Sequence, residues 1–116
     1  MTGADELPSI IDVTNKDVEN YRKMKCLASG KNLKYTWKQF KLDNNTVVIR
    51  EYDKTSSGDV TVDSDGTIKF DRLRWDLHNG FYQCFVSNSK GAAFSRKLKL
   101  RIKSNSHFIY FDKTKK

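Results

Sequence analysis

The 116-residue chain has room for one domain, and its net charge of +8 and pI near 9.5 favour acidic partners such as glycosaminoglycan, nucleic acid or an anionic membrane. Nucleic acid is the weakest of these candidates, because no zinc-finger spacing, recognition helix or aromatic RNA-binding signature accompanies the lysines. The longest apolar run, residues 108–111, is too short for a membrane span, and residues 1–6 lack the hydrophobic region of a secretory signal, so an extracellular protein would be a mature fragment.

The first half of the chain predicts three strands. Residues 7–13 contain the single proline, Pro8, which suits an edge strand where some N–H groups need no partner. After a polar turn at residues 15–17, apolar and polar side chains alternate along residues 23–28 and again along residues 33–39. The side chains predicted to face the core are Met24, Cys26, Ala28, Leu33, Tyr35, Trp37 and Gln39.

The middle of the chain predicts short strands joined by turns. Residues 47–49 are a β-branched run too short for a helix, and turn-like residues 42–45 precede them, which indicates an edge strand of either sheet. A strand at residues 60–62 lies between turn clusters, and residues 68–70 alternate in the next strand. Leu73 is expected to pack beneath the corner that follows.

Two strands joined by a hairpin are predicted at the C-terminal end of the domain. In the first, Tyr82, Cys84 and Val86 alternate and point inwards, and residues 88–91 then form a tight turn in which Gly91 can adopt a positive φ. The core face of the last strand is predicted to carry Phe94, Leu98, Leu100 and Ile102. Its opposite face is predicted to carry Ser95, Lys97, Lys99, Arg101 and Lys103.

The order of cysteine, tryptophan and tyrosine resembles that of the immunoglobulin superfamily. Trp37 follows Cys26 by eleven residues, and Tyr82 lies two residues before Cys84 on the same strand face. The resemblance covers residues 5–103 and implies an all-β, immunoglobulin-like sandwich. It also implies a disulfide between the two cysteines, a tryptophan packed against it, and a tyrosine hydroxyl bonded to the backbone of the preceding corner. A disulfide would require an oxidising compartment, whereas the alternative is two buried free thiols, as in intracellular muscle Ig domains.

A longer motif resembles the I-set domains of neural adhesion molecules, most closely the first Ig domain of the neuroglian, neurofascin and contactin group. The matching residues are Gly80, Tyr82, Gln83, Cys84, Phe85, Asn88, Gly91, Ala93 and Ser95. The resemblance implies a multi-domain cell-surface receptor that mediates homophilic or heterophilic adhesion and axon guidance. It also divides the chain into an N-terminal extension at 1–6, an Ig-like domain at 7–103 and a linker toward a possible next domain at 104–116, where Phe108 and Asp112 match the group.

The chain departs from the family at one position before the second cysteine. His78 stands where the family usually has an aspartate, and Asp76 lies two residues earlier. The family's salt bridge from that aspartate to a basic residue is therefore not carried over. His78 is expected to be a surface histidine in the corner turn, and the alternative is a pH-sensitive switch.

Three groups of residues are candidate sites. The triplet that begins at Asn44 meets the rule for N-glycosylation, although such triplets also arise by chance. Phe81 and Phe85 point outwards and are candidates for protein binding, unless neighbouring strands cover them. The third group consists of basic residues at every second position of the last strand, which would either bind a polyanion or form a solvated face. Its members are Lys97, Lys99, Arg101 and Lys103.

The sequence contains no constellation typical of an enzyme, a metal site or a cofactor site. We expect an extracellular recognition domain of a cell-adhesion receptor that binds a protein on a cell surface, including other Ig domains of the same receptor. The isolated chain is then expected to be mostly monomeric. The alternatives are a structural module of an intracellular muscle scaffold and a secreted immune or heparin-binding module with heparan sulfate as its partner. We expect neither nucleic-acid binding nor direct membrane insertion.

Overall fold

Alternation of apolar and polar side chains produces two antiparallel sheets. The computed structural model describes residues 7–14 and 22–102. The elements are β1 (Ser9–Thr14), β2 (Lys23–Ser29), β3 (Lys34–Asp43), β4 (Thr46–Tyr52), β5 (Val60–Val62), β6 (Ile68–Phe70), α1 (Trp75–His78), β7 (Gly80–Asn88), β8 (Gly91–Phe94) and β9 (Leu98–Leu100). One sheet has the order β1-β2-β6-β5, and the other has the order β4-β3-β7-β8 with β9 also paired to β7. The chain therefore folds as an immunoglobulin-like β-sandwich.

A disulfide between Cys26 and Cys84 joins the two sheets, as the resemblance implies. The Cα atoms of the two cysteines lie 6.2 Å apart, which is within the usual range for a bridge. Trp37 is the register partner of Cys84 and is fully buried. Its indole N–H donates to the backbone carbonyl of Gly66 at 2.8 Å, so the ring is fixed by packing and by a hydrogen bond.

The tyrosine corner is also confirmed. The Tyr82 ring is fully buried, and its hydroxyl donates to the His78 carbonyl at 2.6 Å. The edge of one ring meets the face of the other where Tyr82 packs against Phe70, with centroids 5.7 Å apart. Leu73 is partly buried and packs against this core. The corner is therefore tied both to the core and to the backbone that precedes β7.

Removing the Tyr82 hydroxyl should destabilise the domain. Tyr82→Phe keeps the ring but leaves a buried carbonyl without its donor, so we expect a loss of about 1 to 3 kcal/mol in the free energy of unfolding. Urea denaturation of the variant beside the wild type measures this change. A loss of no more than a few tenths of a kcal/mol would show that the hydroxyl does not stabilise the corner.

The hairpin turns follow their predicted positions with two corrections. Asn44 and Asn45 both have positive φ, which suits the tight turn between β3 and β4, whereas Leu42 and Asp43 belong to the strand rather than to the turn. The prediction that Gly91 uses a positive φ is wrong. A Cβ atom there would lie 2.9 Å from Cδ2 of Leu7, which is the end of an exposed side chain that can rotate away.

The edge strand that the sequence left unassigned belongs to the five-stranded sheet. β4 pairs with β3 along its whole length, from Thr46 opposite Asp43 to Tyr52 opposite Trp37. This pairing places the alternating residues 47 and 49 on the face that points away from the core. The polar turn predicted at residues 15–17 and the sequence beyond residue 102 lie outside the described residues.

The last predicted strand is interrupted by a bulge. Phe94 pairs with Phe85, whereas Leu98 pairs with Tyr82, so four steps along one strand oppose three along the other. This extra residue exchanges the two faces. Phe94 is therefore 66% exposed, although it was predicted to face the core, and Ser95 is 4% exposed, although it was predicted to face outwards. Leu98, Leu100 and Ile102 remain against the core as predicted.

Hydrogen bonds explain why the chain bulges at Ser95. The Ser95 hydroxyl accepts from the Cys84 backbone N–H at 3.0 Å, and the Ser95 backbone N–H donates to the Cys84 carbonyl at 2.9 Å. The next residue, Arg96, donates to the Val13 carbonyl at 3.0 Å, and thereby connects the bulge to β1 in the opposite sheet. The bulge thus satisfies its buried polar groups and also closes one side of the sandwich.

Candidate recognition surface

The outer face of the five-stranded sheet exposes a group of large apolar side chains. Strand register places Phe40 opposite Ile49 on one side and Phe81 on the other, and places Leu42 opposite Val47. We call these five residues the outer apolar patch. Their exposed members, together with Phe94, account for five of the eight exposed large hydrophobic residues in the described ranges, at 43% to 67% exposure.

An open groove runs along one end of the patch. It has a volume of about 600 Å³, and its apolar lining residues are Phe40, Leu42, Val47, Trp75 and Phe81. Lys41, Asp76, Asn79 and Gly80 complete the lining. The groove lies between the β3–β4 hairpin and α1, so the corner supplies one of its walls. A cavity of this size and apolar lining is typical of a site that receives a large side chain or a small molecule.

Hydrogen bonds from β3 hold the corner against the sheet. Gln39, predicted to face the core, is 1% exposed, and its side-chain amide donates to the carbonyls of Leu77 at 2.9 Å and Asn79 at 3.0 Å. Lys41 donates to the Asp76 carbonyl, and both residues line the groove. These contacts connect β3 to both ends of the corner, so the wall of the groove is fixed relative to its floor.

Lysine ammonium groups lie over the aromatic rings of this face. The Lys97 ammonium lies 4.3 Å from the Phe40 ring centroid, and the Lys99 ammonium lies 5.8 Å from that of Phe81. A third contact joins Lys38 to Phe85 at 4.7 Å. These are cation–π distances, so positive charge and aromatic surface occur together on the same face.

The two predicted aromatic candidates differ in their exposure. Phe81 is 43% exposed and lies in the outer apolar patch. Phe85 is half-buried, because the Phe94 ring lies 5.8 Å from it and Lys38 lies above it. Phe81 is therefore available to a partner, whereas Phe85 mainly supports its neighbours. Continued alternation after Gln39 would have predicted from the sequence that Phe40 and Leu42 face outwards. The outward orientation of Phe94 could not be predicted in this way, because it depends on the bulge.

The structure places three of the four predicted polyanion-binding residues. Lys97 and Lys99 are exposed beside the outer apolar patch. Arg101 is exposed just beyond the end of β9, and Lys103 lies outside the described residues. Asn44 is exposed at the tip of the β3–β4 hairpin, where a glycan has room to attach. The triplet at Asn44 thus lies close to one end of the groove.

His78 does not lie on the surface, and that prediction is wrong. Its side chain is 4% exposed, its Nδ1 accepts from the Arg74 backbone N–H at 2.9 Å, and its ring packs on Phe70 with centroids 5.2 Å apart. The imidazole closes the turn of α1, which explains why it turns inwards. The Asp76 carboxylate, by contrast, lies on the surface and pairs with Arg74 at 3.3 Å.

Burial of His78 lowers its pKa below the ordinary value of about 6.5. Nearby Asp59 and Asp76 raise this pKa and Arg74 and Lys41 lower it, but burial is the largest effect. Since the unfolded chain then binds more protons than the folded chain, the stability from neutral His78 is fully present above about pH 6.5 and falls as the pH drops through the folded pKa. We expect the wild type to lose more stability than His78→Gln between about pH 7.5 and pH 5. Parallel profiles of unfolding free energy against pH, measured by urea denaturation, would contradict this. The other histidine, His107, is present in both proteins, so its titration cancels in the comparison.

The described residues contain no cluster of three or more His, Cys, Asp or Glu residues that is arranged to hold a metal ion. Across 7–14 and 22–102, no helix has the length and hydropathy needed to cross a membrane. The disulfide indicates an oxidising setting, as found outside the cell or along the secretory route. No protein-family model matches the sequence, and no curated protein matches it.

Proposed function

We propose that the chain is an extracellular recognition domain of the I-set kind and belongs to a cell-adhesion receptor. The disulfide supports the extracellular part of this proposal, because intracellular thiols are normally kept reduced. The sequence motif from Gly80 to Ser95 supports the likeness to neural adhesion molecules. The exposed hairpin at Asn44 agrees with a glycoprotein.

The observation that carries the recognition role is the outer apolar patch. Strands with one face in water normally present polar side chains on it. Here Leu42, Val47, Ile49 and Phe81 are all exposed on the same face, around the floor of a groove. A contiguous apolar surface rimmed by charged groups is typical of a protein-binding site. The surface is therefore suited to a protein partner on a neighbouring cell or on the same receptor.

The disulfide argues against a module of an intracellular muscle scaffold, which would have free thiols. Lys97 and Lys99 favour a heparin-binding module. The outer apolar patch, however, would have no role in binding a sulfated chain. Intact mass before and after reduction, on protein from its natural source, tests the compartment. A mass that does not rise by that of two hydrogen atoms on reduction would support the intracellular alternative.

Cell binding by multimerised domains tests the recognition role. Tetramers of the wild type, of Ile49→Glu and of Leu27→Glu would be measured on cultured neuronal cells by flow cytometry. Leu27 is a matched control, since it is an exposed leucine on β2 in the opposite sheet. We expect the wild type and Leu27→Glu to bind the cells equally. We expect binding of Ile49→Glu to be reduced by about tenfold or more. No binding by wild type, or equal binding by all three proteins, would contradict the proposed function.

A further inference from the structure

We propose that the outer face of the five-stranded sheet binds a partner protein segment in which a large apolar side chain is flanked by Asp or Glu, and that it does not bind a second copy of this chain. The inference rests on the proposed function and specifies the chemistry of the partner. Its two parts are the groove, which receives the apolar side chain, and the lysines beside it, which receive the carboxylates.

The groove is suited to one large side chain. Its apolar lining includes Phe40, Trp75 and Phe81, and its volume of about 600 Å³ is sufficient to admit a large side chain. Aromatic and large aliphatic residues are the usual anchors of protein interfaces, because they fill such a site and exclude water from it. The groove therefore selects an apolar anchor rather than a purely charged ligand.

Two lysines contact rings that line that same groove. Lys97 covers Phe40 and Lys99 covers Phe81, and both rings line the groove. Among the described residues, neither Lys97 nor Lys99 takes part in a salt bridge, whereas Lys38 pairs with Glu51 at 3.6 Å. Their ammonium groups are thus available to a carboxylate that arrives beside the anchor. A polar, charged rim around an apolar centre is the usual arrangement of an interface.

The charge of this face disfavours a second copy. The strands contribute Lys34, Lys38, Lys99 and the acidic Glu51 to the outer face, and Lys97 is adjacent to it. The corner adds Asp76, which lines the groove and whose carboxylate pairs with Arg74 at 3.3 Å. Two copies that meet through this face would bring lysines together, and each chain carries a net charge of +8. Like charges at a desolvated interface are unfavourable, whereas an acidic partner would be attracted over a longer range.

Selection from a random peptide library tests the chemistry of the partner directly. A displayed library of twelve-residue peptides would be selected on the immobilised wild-type chain. We expect enriched peptides to have Asp or Glu within a few positions of an aromatic or large aliphatic residue, and to bind more weakly as salt is added. Enrichment of basic peptides, of peptides without an apolar anchor, or of none would overturn the inference.

Charge reversal locates the selected peptides on the protein. We expect Lys97→Glu with Lys99→Glu to bind a selected peptide at least about tenfold more weakly than the wild type. The matched control is Lys23→Glu with Lys25→Glu, which makes the same change in net charge on exposed residues of β2, and it should bind within about twofold of the wild type. Equal losses in both double variants would show that net charge alone, and not this face, attracts the peptide.

Two further readouts separate the inference from its rivals. A heparin hexasaccharide that binds the chain more tightly than every selected peptide would assign the lysines to a sulfated polysaccharide and overturn the inference. Sedimentation should show a monomer, and a dimer broken by Ile49→Glu would likewise overturn it. Ile49→Glu could abolish cell binding while the Lys97 and Lys99 double variant retains it. That result would support the proposed function and overturn the inference that the partner is acidic.

Discussion

Replacement of both Cys26 and Cys84 by alanine should destabilise the domain more than any surface substitution. The disulfide joins residues that are 58 apart in sequence, and closing a loop of that length is worth about 4 kcal/mol in the chain-entropy account. Both sulfurs are also buried in the core, so loss of their packing adds to the effect. We expect the free energy of unfolding to fall by about 4 kcal/mol or more in urea.

The wild type under reducing conditions provides the matched comparison. Reduction removes the cross-link but retains the sulfur atoms, so the difference between reduced wild type and the double alanine variant measures packing alone. We expect reduction to account for most of the loss, because Cys→Ala removes only one sulfur at each position. A change of less than about 1 kcal/mol on reduction would show that the bridge does not stabilise the sandwich.

Replacement of Gly80 by alanine should be the most damaging single substitution next to the outer apolar patch. Gly80 has a φ of +140°, and a Cβ atom there would lie 2.6 Å from the Phe40 backbone oxygen. β3 and β7 would have to separate where Phe40 and Phe81 pair. We expect Gly80→Ala to lower the free energy of unfolding by about 3 kcal/mol or more, as the strained backbone and the steric clash act together.

Gly58 separates these two causes. Its φ is +99°, but a Cβ atom would meet nothing within 4 Å. Gly58→Ala therefore reports the unfavourable backbone alone, for which we expect about 1 to 2 kcal/mol. Urea denaturation of both variants gives the difference. If Gly80→Ala is no worse than Gly58→Ala, the close approach of the β3 backbone to Gly80 does not constrain the surface.

Much of the core was predictable because alternation identifies a buried face within a strand. Cys26, Trp37 and Tyr82 lie where that alternation and the family resemblance put them. The bridge and the corner depend on residues with few alternative roles, namely two cysteines and a tyrosine two residues before one of them. The structural roles of such residues can therefore be predicted without knowledge of which strands are neighbours.

The departures occur where long-range contacts decide the outcome. Ser95 turns inwards because its hydroxyl can bond to the Cys84 backbone, and the resulting bulge reverses the face of Phe94. His78 is buried because its imidazole closes a short helical turn above Phe70. Neither interaction produces a periodic signal in the sequence, since each depends on the position of another element.

The outer apolar patch was only partly predictable for the same reason. Phe81 was identified because its own strand alternates clearly. The groove, however, requires that β4 pair with β3 and that α1 lie across the end of the sheet. The sequence left the sheet of β4 open, so Val47 and Ile49 were not assigned to a binding surface. Pairing of β4 with β3 is therefore the feature that converts scattered apolar residues into one patch.

A glycan placed on each face in turn tests most directly whether the outer face of the five-stranded sheet is the recognition surface. In an Asn44→Gln background, Lys34→Asn creates an acceptor triplet with Thr36 on that face, and Leu27→Asn creates one with Ser29 on the opposite sheet. Tetramers of the two glycosylated proteins would be compared on the same cells, with occupancy confirmed by mass. We expect the glycan at position 34 to abolish binding and the glycan at position 27 to leave it unchanged. Retained binding with the glycan at position 34 and lost binding with the glycan at position 27 would place recognition on the opposite sheet and contradict the account.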